Sequence, residues 1–319
     1  MTSPEIVNAA KLLKEGSLVV MPTETVYGLA ANIYNDSAVR SIFELKGRPS
    51  NNPLIVHIHS FEQLQEVVRE IPAMAITLAE EFWPGPLTLV LEKQDHISEL
   101  ITAGGATVAV RMPNHPIALA LLKETGFPLA APSANPSNYI SPTSAENVRR
   151  GFGDRTPFLL DGGPCEKGLE STVVGFKADG VYIYRHGAIT REALASVLKD
   201  VEVHSLTAET AAPASPGMLL KHYSPKSRLI HTPNIAAQLK EFEGSSVAVL
   251  SFNKEYSHPA IEAQLILSRE GNMEEAARNL YSALHELDAK TPDIILAEVF
   301  PDTGLGIAIN DRLRRAAEK

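Results

Sequence analysis

Residues 21–58 read MPTETVYGLAANIYNDSAVRSIFELKGRPSNNPLIVHI, and their pattern decides the fold class. An apolar run over 17–21 leads into the stretch, and a second run over 54–58 closes it; both read as strands. Between them lie a polar turn (Pro22, Thr23, Glu24, Thr25), a helix over about 36–45 and a basic loop, KGRPSNNP. Asp36 is a good N-cap, and Val39, Ile42, Phe43 and Leu45 give the helix one apolar face. In the loop, Lys46 and Arg48 flank one glycine. Arginine brings a planar fork of donors and lysine a point charge, so the pair suits an anion. A solvated basic loop is the plainer alternative.

Outward from this unit, Ser3-Pro4 opens a helix to about Lys14. Further helices are expected over 60–68, 73–82, 115–123, 144–150 and 190–199. Strands are expected over 87–92, 107–111, 129–132, 157–161, 171–176 and 181–185. Several strands follow one another with no helix between, which predicts a twisted mixed sheet in an α/β unit rather than a purely parallel one. Residues 205–226 are rich in Ala, Pro, Ser and Thr and read as a linker. Beyond it, strand and helix patterns resume as a smaller, Rossmann-like, doubly wound α/β unit that lacks a GxGxxG fingerprint. The expected divisions are 1–204, 205–226 and 227–319.

The chain has 319 residues, of which 44% are hydrophobic, enough for one large or two medium domains. Its net charge of −9 argues against a protein that grips a long nucleic acid. The single cysteine, Cys165, excludes an internal disulfide and a multi-cysteine zinc site and fits a reducing cytoplasm. No apolar signal core or membrane-length run is visible, so a soluble cytoplasmic protein is expected.

Candidate chemistry sits at strand ends, where α/β sheets place ligands. Thr23, Thr25 and Tyr27 follow the first strand; Ser133 and Asn135 follow a short apolar one. Each set also has a plain reading as turn chemistry. His57 and His59 are two apart, one suited to a ligand or backbone hydrogen bond and the other to partial exposure. Arg111, at a strand end, needs an anion if buried, from a substrate or from the protein. Ser171, Thr172, Arg185 and His186 occupy further strand ends. No nucleophile elbow, Walker loop, HExxH or CxxC occurs.

The segments PTETVYGL, KGRPSNNPLIVHI, WPGPLTLVL, TVAVRMPNHPIA, APSANPS, DGG, ESTVV, RHGAIT, SPGMLLKHYSP and GIAINDRLRRA together resemble the YrdC-type threonylcarbamoyl-adenylate synthases, in their long two-domain version. The resemblance spans nearly the whole chain. It implies an enzyme that joins L-threonine, bicarbonate and ATP into threonylcarbamoyl-adenylate and pyrophosphate. A separate transferase complex then moves the threonylcarbamoyl group to the tRNA adenosine beside the anticodon, with any tRNA contact by this chain weak or indirect. By matching motif, Lys46, Ser50, Thr107, Ser133, Asn135, Ser141, Arg185 and Tyr223 are expected to bind ATP. Thr23, His57, Arg111, Ala131 and Ser171 are expected to line the threonine site, and Lys46 and Arg48 to act in catalysis. Gly47 departs from relatives that carry a polar residue there. The resemblance implies Mg²⁺ held mainly by ATP phosphates, with no metal ligands from the chain, and the linker is expected to act as a lid. Two alternatives stay open: a carbamoyl-transfer module of the same fold, as in hydrogenase maturation proteins, and a non-catalytic RNA-binding protein.

Overall fold

The computed structural model describes residues 3–206 and 222–318. Helix α1 (Pro4–Lys14) is capped by Ser3, whose side chain accepts the Ile6 N–H, and Pro4 takes the first helical position, where no N–H is needed. β1 (Val19–Met21) then turns back into β2 (Gly28–Asn32), antiparallel, with Val20 opposite Leu29. The sequence reading did not foresee β2, since GLAAN has none of the branched side chains that mark strands. α2 (Asp36–Lys46) is capped by Asn35 rather than Asp36: the Asn35 side chain accepts the Ala38 N–H at 3.1 Å, and Asp36 sits in the first turn, favourable to the helix dipole. Gly47 ends the helix at φ 62°, a left-handed conformation that glycine adopts without strain. β3 (Ile55–His57) follows the basic loop.

The larger unit continues through α3 (Phe61–Val67), α4 (Ala73–Phe82), β4 (Leu87–Glu92), α5 (Glu99–Thr102), β5 (Thr107–Arg111), α6 (Pro116–Thr125) and β6 (Leu129–Ala130). It closes with α7 (Ala145–Phe152), β7 (Phe158–Leu159), β8 (Thr172–Lys177), β9 (Gly180–Arg185), α8 (Arg191–Leu198) and β10 (Val203–Ser205). The ten strands form one mixed sheet in the order β10-β9-β8-β4-β5-β3-β6-β2-β1-β7. Side chains alternate between its faces. One face carries the main core, including Val56, Leu89, Val110 and Val174, packed against helices such as α2 and α4. On the other face, α1 and α6 cover Val19, Met21, Ala30 and Leu129 near one end of the sheet. Over the middle strands that face has only a small apolar cluster, Ile55, Val90, Ala109 and Val173. The site is built on this thinly covered part.

The second unit is a parallel four-stranded sheet in the order β11-β14-β12-β13, from β11 (Arg228–Thr232), β12 (Val247–Ser251), β13 (Ile261–Ile266) and β14 (Ile294–Glu298). Ala248, Leu250, Ile295 and Ala297 pack on α10 (Met273–Ala289) and α11 (Leu305–Ala317). Val247, Val249, Ile294 and Leu296 face α9 (Ile235–Glu241), so helices cover both faces. Of the expected linker, Ser205 belongs to β10, residues 207–221 lie outside the described residues, and His222 and Tyr223 are buried. The two units meet along α10 and α11. Tyr139 donates to Asp288 at 2.7 Å, and His285 Nε2 meets the Ser141 carbonyl at 3.1 Å.

Candidate active site

Strand register assembles the site. β3 and β5 are parallel with His57 beside Arg111, β4 runs antiparallel to β5, and β8 runs parallel to β4. The ends of β3 and β5 and the start of β8 therefore reach the same edge of the sheet, and antiparallel β9 delivers Arg185 there, opposite Val173. A pocket with about 560 Å³ of empty space, part of it open to solvent, lies over this edge. It is lined by Thr23, Thr25, Val26 and Gly28 from the β1–β2 turn, Arg48 from the basic loop, and Ile55 and His57. Arg111, Ala131, Pro132, Ser133, Glu170, Ser171, Arg185, His222 and Tyr223 complete it.

Three buried arginines face the pocket, each held by the protein. Arg111 has its Nη2 2.7 Å from a Glu24 carboxylate oxygen, donates from Nη1 to Thr25 Oγ1 at 2.8 Å and from Nε to the Gly85 carbonyl at 3.2 Å. That carbonyl lies in a tight turn where Trp83 Nε1 donates to the Leu87 carbonyl. The anion that a buried Arg111 requires is thus a protein carboxylate, the other of the two choices that sequence left open. Arg185 donates to the Ser171 carbonyl at 3.0 Å and to its hydroxyl at 3.1 Å. Arg48 donates to the carbonyls of Asn52 and Pro53, and burial pushes its guanidinium down to about 9.

His57 is buried, its Nδ1 3.3 Å from the Ile55 carbonyl. Burial, reinforced by the Arg111 charge, lowers its pKa to about 3, so the ring is neutral near pH 7. With Nδ1–H donating to Ile55, Nε2 is left as an acceptor. His59 is half-buried, as expected of the second histidine, but it lies beyond β3 and not on the strand with His57. Thr23 Oγ1 accepts the Thr25 and Val26 N–H groups and donates to the Val26 carbonyl at 2.6 Å, a side-chain turn that fixes the strand exit.

Thr23, Arg48, His57, Arg111, Ala131, Ser133, Ser171, Arg185 and Tyr223 all line this one pocket. Lys46, Asn135 and Ser141 stand directly behind it. The buried Lys46 Nζ donates to the carbonyls of Ser133 (2.5 Å) and Asn135 (2.6 Å) and to Asn135 Oδ1 (3.2 Å). It ties the end of α2 to the SAN loop and so sets the position of Ser133. Ser141 donates to Glu170 at 2.7 Å. Ser50 and Thr107 are not brought to the pocket. Ser50 is exposed on the basic loop, and Thr107 is exposed at the opposite end of β5 from Arg111, roughly 13 Å along the strand at the usual rise.

Sequence reasoning missed Glu24 and Glu170. Both adjoin residues that it singled out, Thr23 and Ser171, and a cationic pocket implies nearby counter-charges; the sign of the local balance was the available signal. Among the described residues, no group of three or more His, Cys, Asp or Glu side chains is arranged to hold a metal ion.

Comparison with known proteins agrees with this architecture. Residues 11–187 match the Sua5–YciO–YrdC family, described as "Telomere recombination", and residues 189–318 match "Threonylcarbamoyl-AMP synthase, C-terminal domain". The chain is 44% identical to the threonylcarbamoyl-AMP synthase of Bacillus subtilis, over 98% of this chain and 93% of that one. It is 42% identical to that of Pyrococcus abyssi, over 97% and 93%. The crystal structure of P. abyssi Sua5 complexed with L-threonine superposes with a TM-score of 0.88 at 41% identity, covering 98% of this chain and 94% of that one. The fold is thus that of an adenylyl-transferring enzyme. The chain belongs to the threonylcarbamoyl-AMP synthase family, in its two-domain form.

Proposed function

We propose that the pocket binds L-threonine and ATP side by side and makes threonylcarbamoyl-adenylate from them and bicarbonate. The observation that carries this reading is the meeting, at one strand edge, of three buried arginines with a neutral histidine and the hydroxyls of Thr23, Thr25 and Ser171. A neutral His57 offers Nε2 to a substrate donor such as the threonine hydroxyl, whereas an imidazolium could only repel the amine. Thr23, His57, Ala131 and Ser171 then form the threonine side, and Ser133, Arg185 and Tyr223 the nucleotide side. Arg111, already neutralised by Glu24, acts as an oriented donor to the substrate carboxylate rather than as a naked charge.

The threonine amine first attacks the bicarbonate carbon, a C–O bond breaks and water leaves, giving a carbamate that is short-lived in water. A carbamate oxygen attacks the α-phosphorus of ATP and pyrophosphate leaves, so no side-chain nucleophile is required. The protein holds the reactants in line and meets the charge that builds on the leaving group, with Arg48 and Arg185 as fixed donors and Lys46 locking the loop that carries Ser133. Mg²⁺ would arrive on the ATP phosphates: the Glu170 carboxylate already accepts from Ser141, Tyr281 and Arg312, and the described residues offer it no ready cage.

Residues 205–226 are read as a lid joining a catalytic unit (1–204) to the C-terminal unit (227–319). The burial of His222 and Tyr223 in the pocket wall supports this reading. Shielding from water would protect both the carbamate and the acyl-adenylate. A cytoplasmic location, and a tRNA-modifying transferase complex that consumes the product, belong to the same proposal. Among the described residues, no helix is long and apolar enough to cross a membrane. Pyrophosphate release measured with ATP, threonine and bicarbonate, omitting each in turn, tests the function. Release that persists without threonine or without bicarbonate would overturn it.

A further inference from the structure

The pocket proposed to take a triphosphate has a carboxylate in its wall. Glu170 lines it, is 6% exposed, and lies beside Ser171 and near Arg185. An uncompensated carboxylate there would repel ATP. Its compensation comes from the other unit: Arg312 on α11, 1% exposed, donates from Nε to Glu170 at 2.8 Å. Tyr281 on α10 donates its hydroxyl to the same carboxylate at 2.9 Å, and Ser141, in the larger unit, donates at 2.7 Å. The guanidinium is held three times more: Nη1 donates to Asp311 at 2.8 Å, Nη2 donates to the His186 carbonyl at 2.8 Å, and the group lies over the Tyr223 ring at 5.1 Å. Burial alone would raise the Glu170 pKa, but Arg312, Arg185 and the hydrogen bonds outweigh it and bring the group down to about 2, so the charge is present at every working pH.

Backbone packing pins this arrangement. A Cβ on Gly168, whose φ is +68°, would lie 2.2 Å from the Arg278 carbonyl oxygen of α10. A Cβ on Gly187 would lie 2.3 Å from the Glu170 carbonyl oxygen. Only glycine lets the Glu170 segment press this closely on both sides.

We propose that Arg312 is a positioning residue of the synthase site: from the C-terminal unit it neutralises Glu170 and backs Tyr223, so that the nucleotide side of the pocket is completed by the second unit. The inference rests on the ATP reading above. It assigns the C-terminal unit a part in substrate binding, beyond packing against the larger unit.

The test is a charge cycle in the full chain, read as KM for ATP, KM for threonine and kcat, with thermal melting as a control. Arg312→Met leaves Glu170 buried without its ion-pair partner, held by the Ser141 and Tyr281 hydroxyls; the KM for ATP is expected to rise roughly 10- to 100-fold, the worth of a charged hydrogen bond, with a much smaller change for threonine. Adding Glu170→Gln to Arg312→Met removes the repelling charge and should restore most ATP binding, a rescue that a mere docking contact would not give. Arg312→Lys keeps the charge and should lie nearer to the unaltered enzyme than Arg312→Met. Should Arg312→Met not fold, Tyr281→Phe removes one donor to Glu170 without altering charge, and with Arg312→Lys carries the test. A folded Arg312→Met protein, or in its place Tyr281→Phe, that keeps the KM for ATP within about twofold, or no rescue by Glu170→Gln, would overturn the proposal. If the unaltered protein itself neither binds ATP nor releases pyrophosphate, the functional reading fails instead.

Discussion

Replacing Glu24 by glutamine isolates one charge. Glu24 and Arg111 are 3% and 4% exposed, and their atoms are 2.7 Å apart. In Glu24→Gln the amide oxygen can still accept one hydrogen bond, but the guanidinium loses its counter-charge in a place that water does not reach. Breaking a buried pair from one side costs about 3–5 kcal/mol, and the retained acceptor puts this variant near the lower figure. Against a total stability of roughly 5–15 kcal/mol, a loss of about 3 kcal/mol is plain in a urea titration. Removing both charges, Glu24→Gln with Arg111→Met, should recover part of it. Saturating threonine should stabilise Glu24→Gln more than the unaltered protein, because the substrate carboxylate becomes the missing anion. A loss below about 1 kcal/mol would refute the argument, since it would mean that the pair is screened as surface pairs are. Equal stabilisation of both proteins by threonine would remove Arg111 from the carboxylate site.

Lys46→Ala strips the donor from three acceptors in the Ser133–Asn135 loop; at roughly 1.5–3 kcal/mol for a charged hydrogen bond, turnover is expected to fall at least tenfold in a folded protein, and near-normal turnover would sink the role. Acid should destabilise the fold well above the carboxylate range. Burial holds His57 and His222 at about 3, below the ordinary value of about 6.5, so between those limits the unfolded chain binds more protons and stability falls as pH falls, by about 1.4 kcal/mol per pH unit for each. Urea midpoints that do not drop between pH 7 and pH 5 would contradict this. Protease cleavage within 205–226 should slow when ATP and threonine are both present; cleavage indifferent to ligands, together with full activity in Tyr223→Ala, would leave that segment a tether.

The elements that sequence revealed are those with a local signature. α2 shows an apolar face and a glycine stop, β5 alternates, and Ser3, Ser60, Ser144 and Thr190 cap helices as their positions suggest. β2 was illegible because its small residues owe their strand conformation to neighbours on both sides, β1 and β6. The candidate site divides in the same way. Strand-end polar residues such as His57, Arg111, Ser171 and Arg185 could be picked out because strand ends are few. Thr107 shares a strand and a face with Arg111, yet the strand's length carries it away from the pocket. The partners of the charges stayed hidden. Arg111 finds Glu24 at a sequence separation of 87 positions by register alone, and Arg312 finds Glu170 across 142 positions, pairings with no local pattern to betray them.

Trp83, whose indole is held against the Leu87 carbonyl beside the turn that carries Gly85, is the one tryptophan in the chain. Indole emission, excited beyond tyrosine absorption, therefore reports the larger unit alone, from a point adjoining the Arg111 cluster. Circular dichroism sums the helices and strands of both units. Melting curves from the two methods that coincide would mark a molecule that unfolds as one body, its halves clasped through Glu170. Curves that separate would give the strength of that clasp directly, from a fluorophore that the chain already contains.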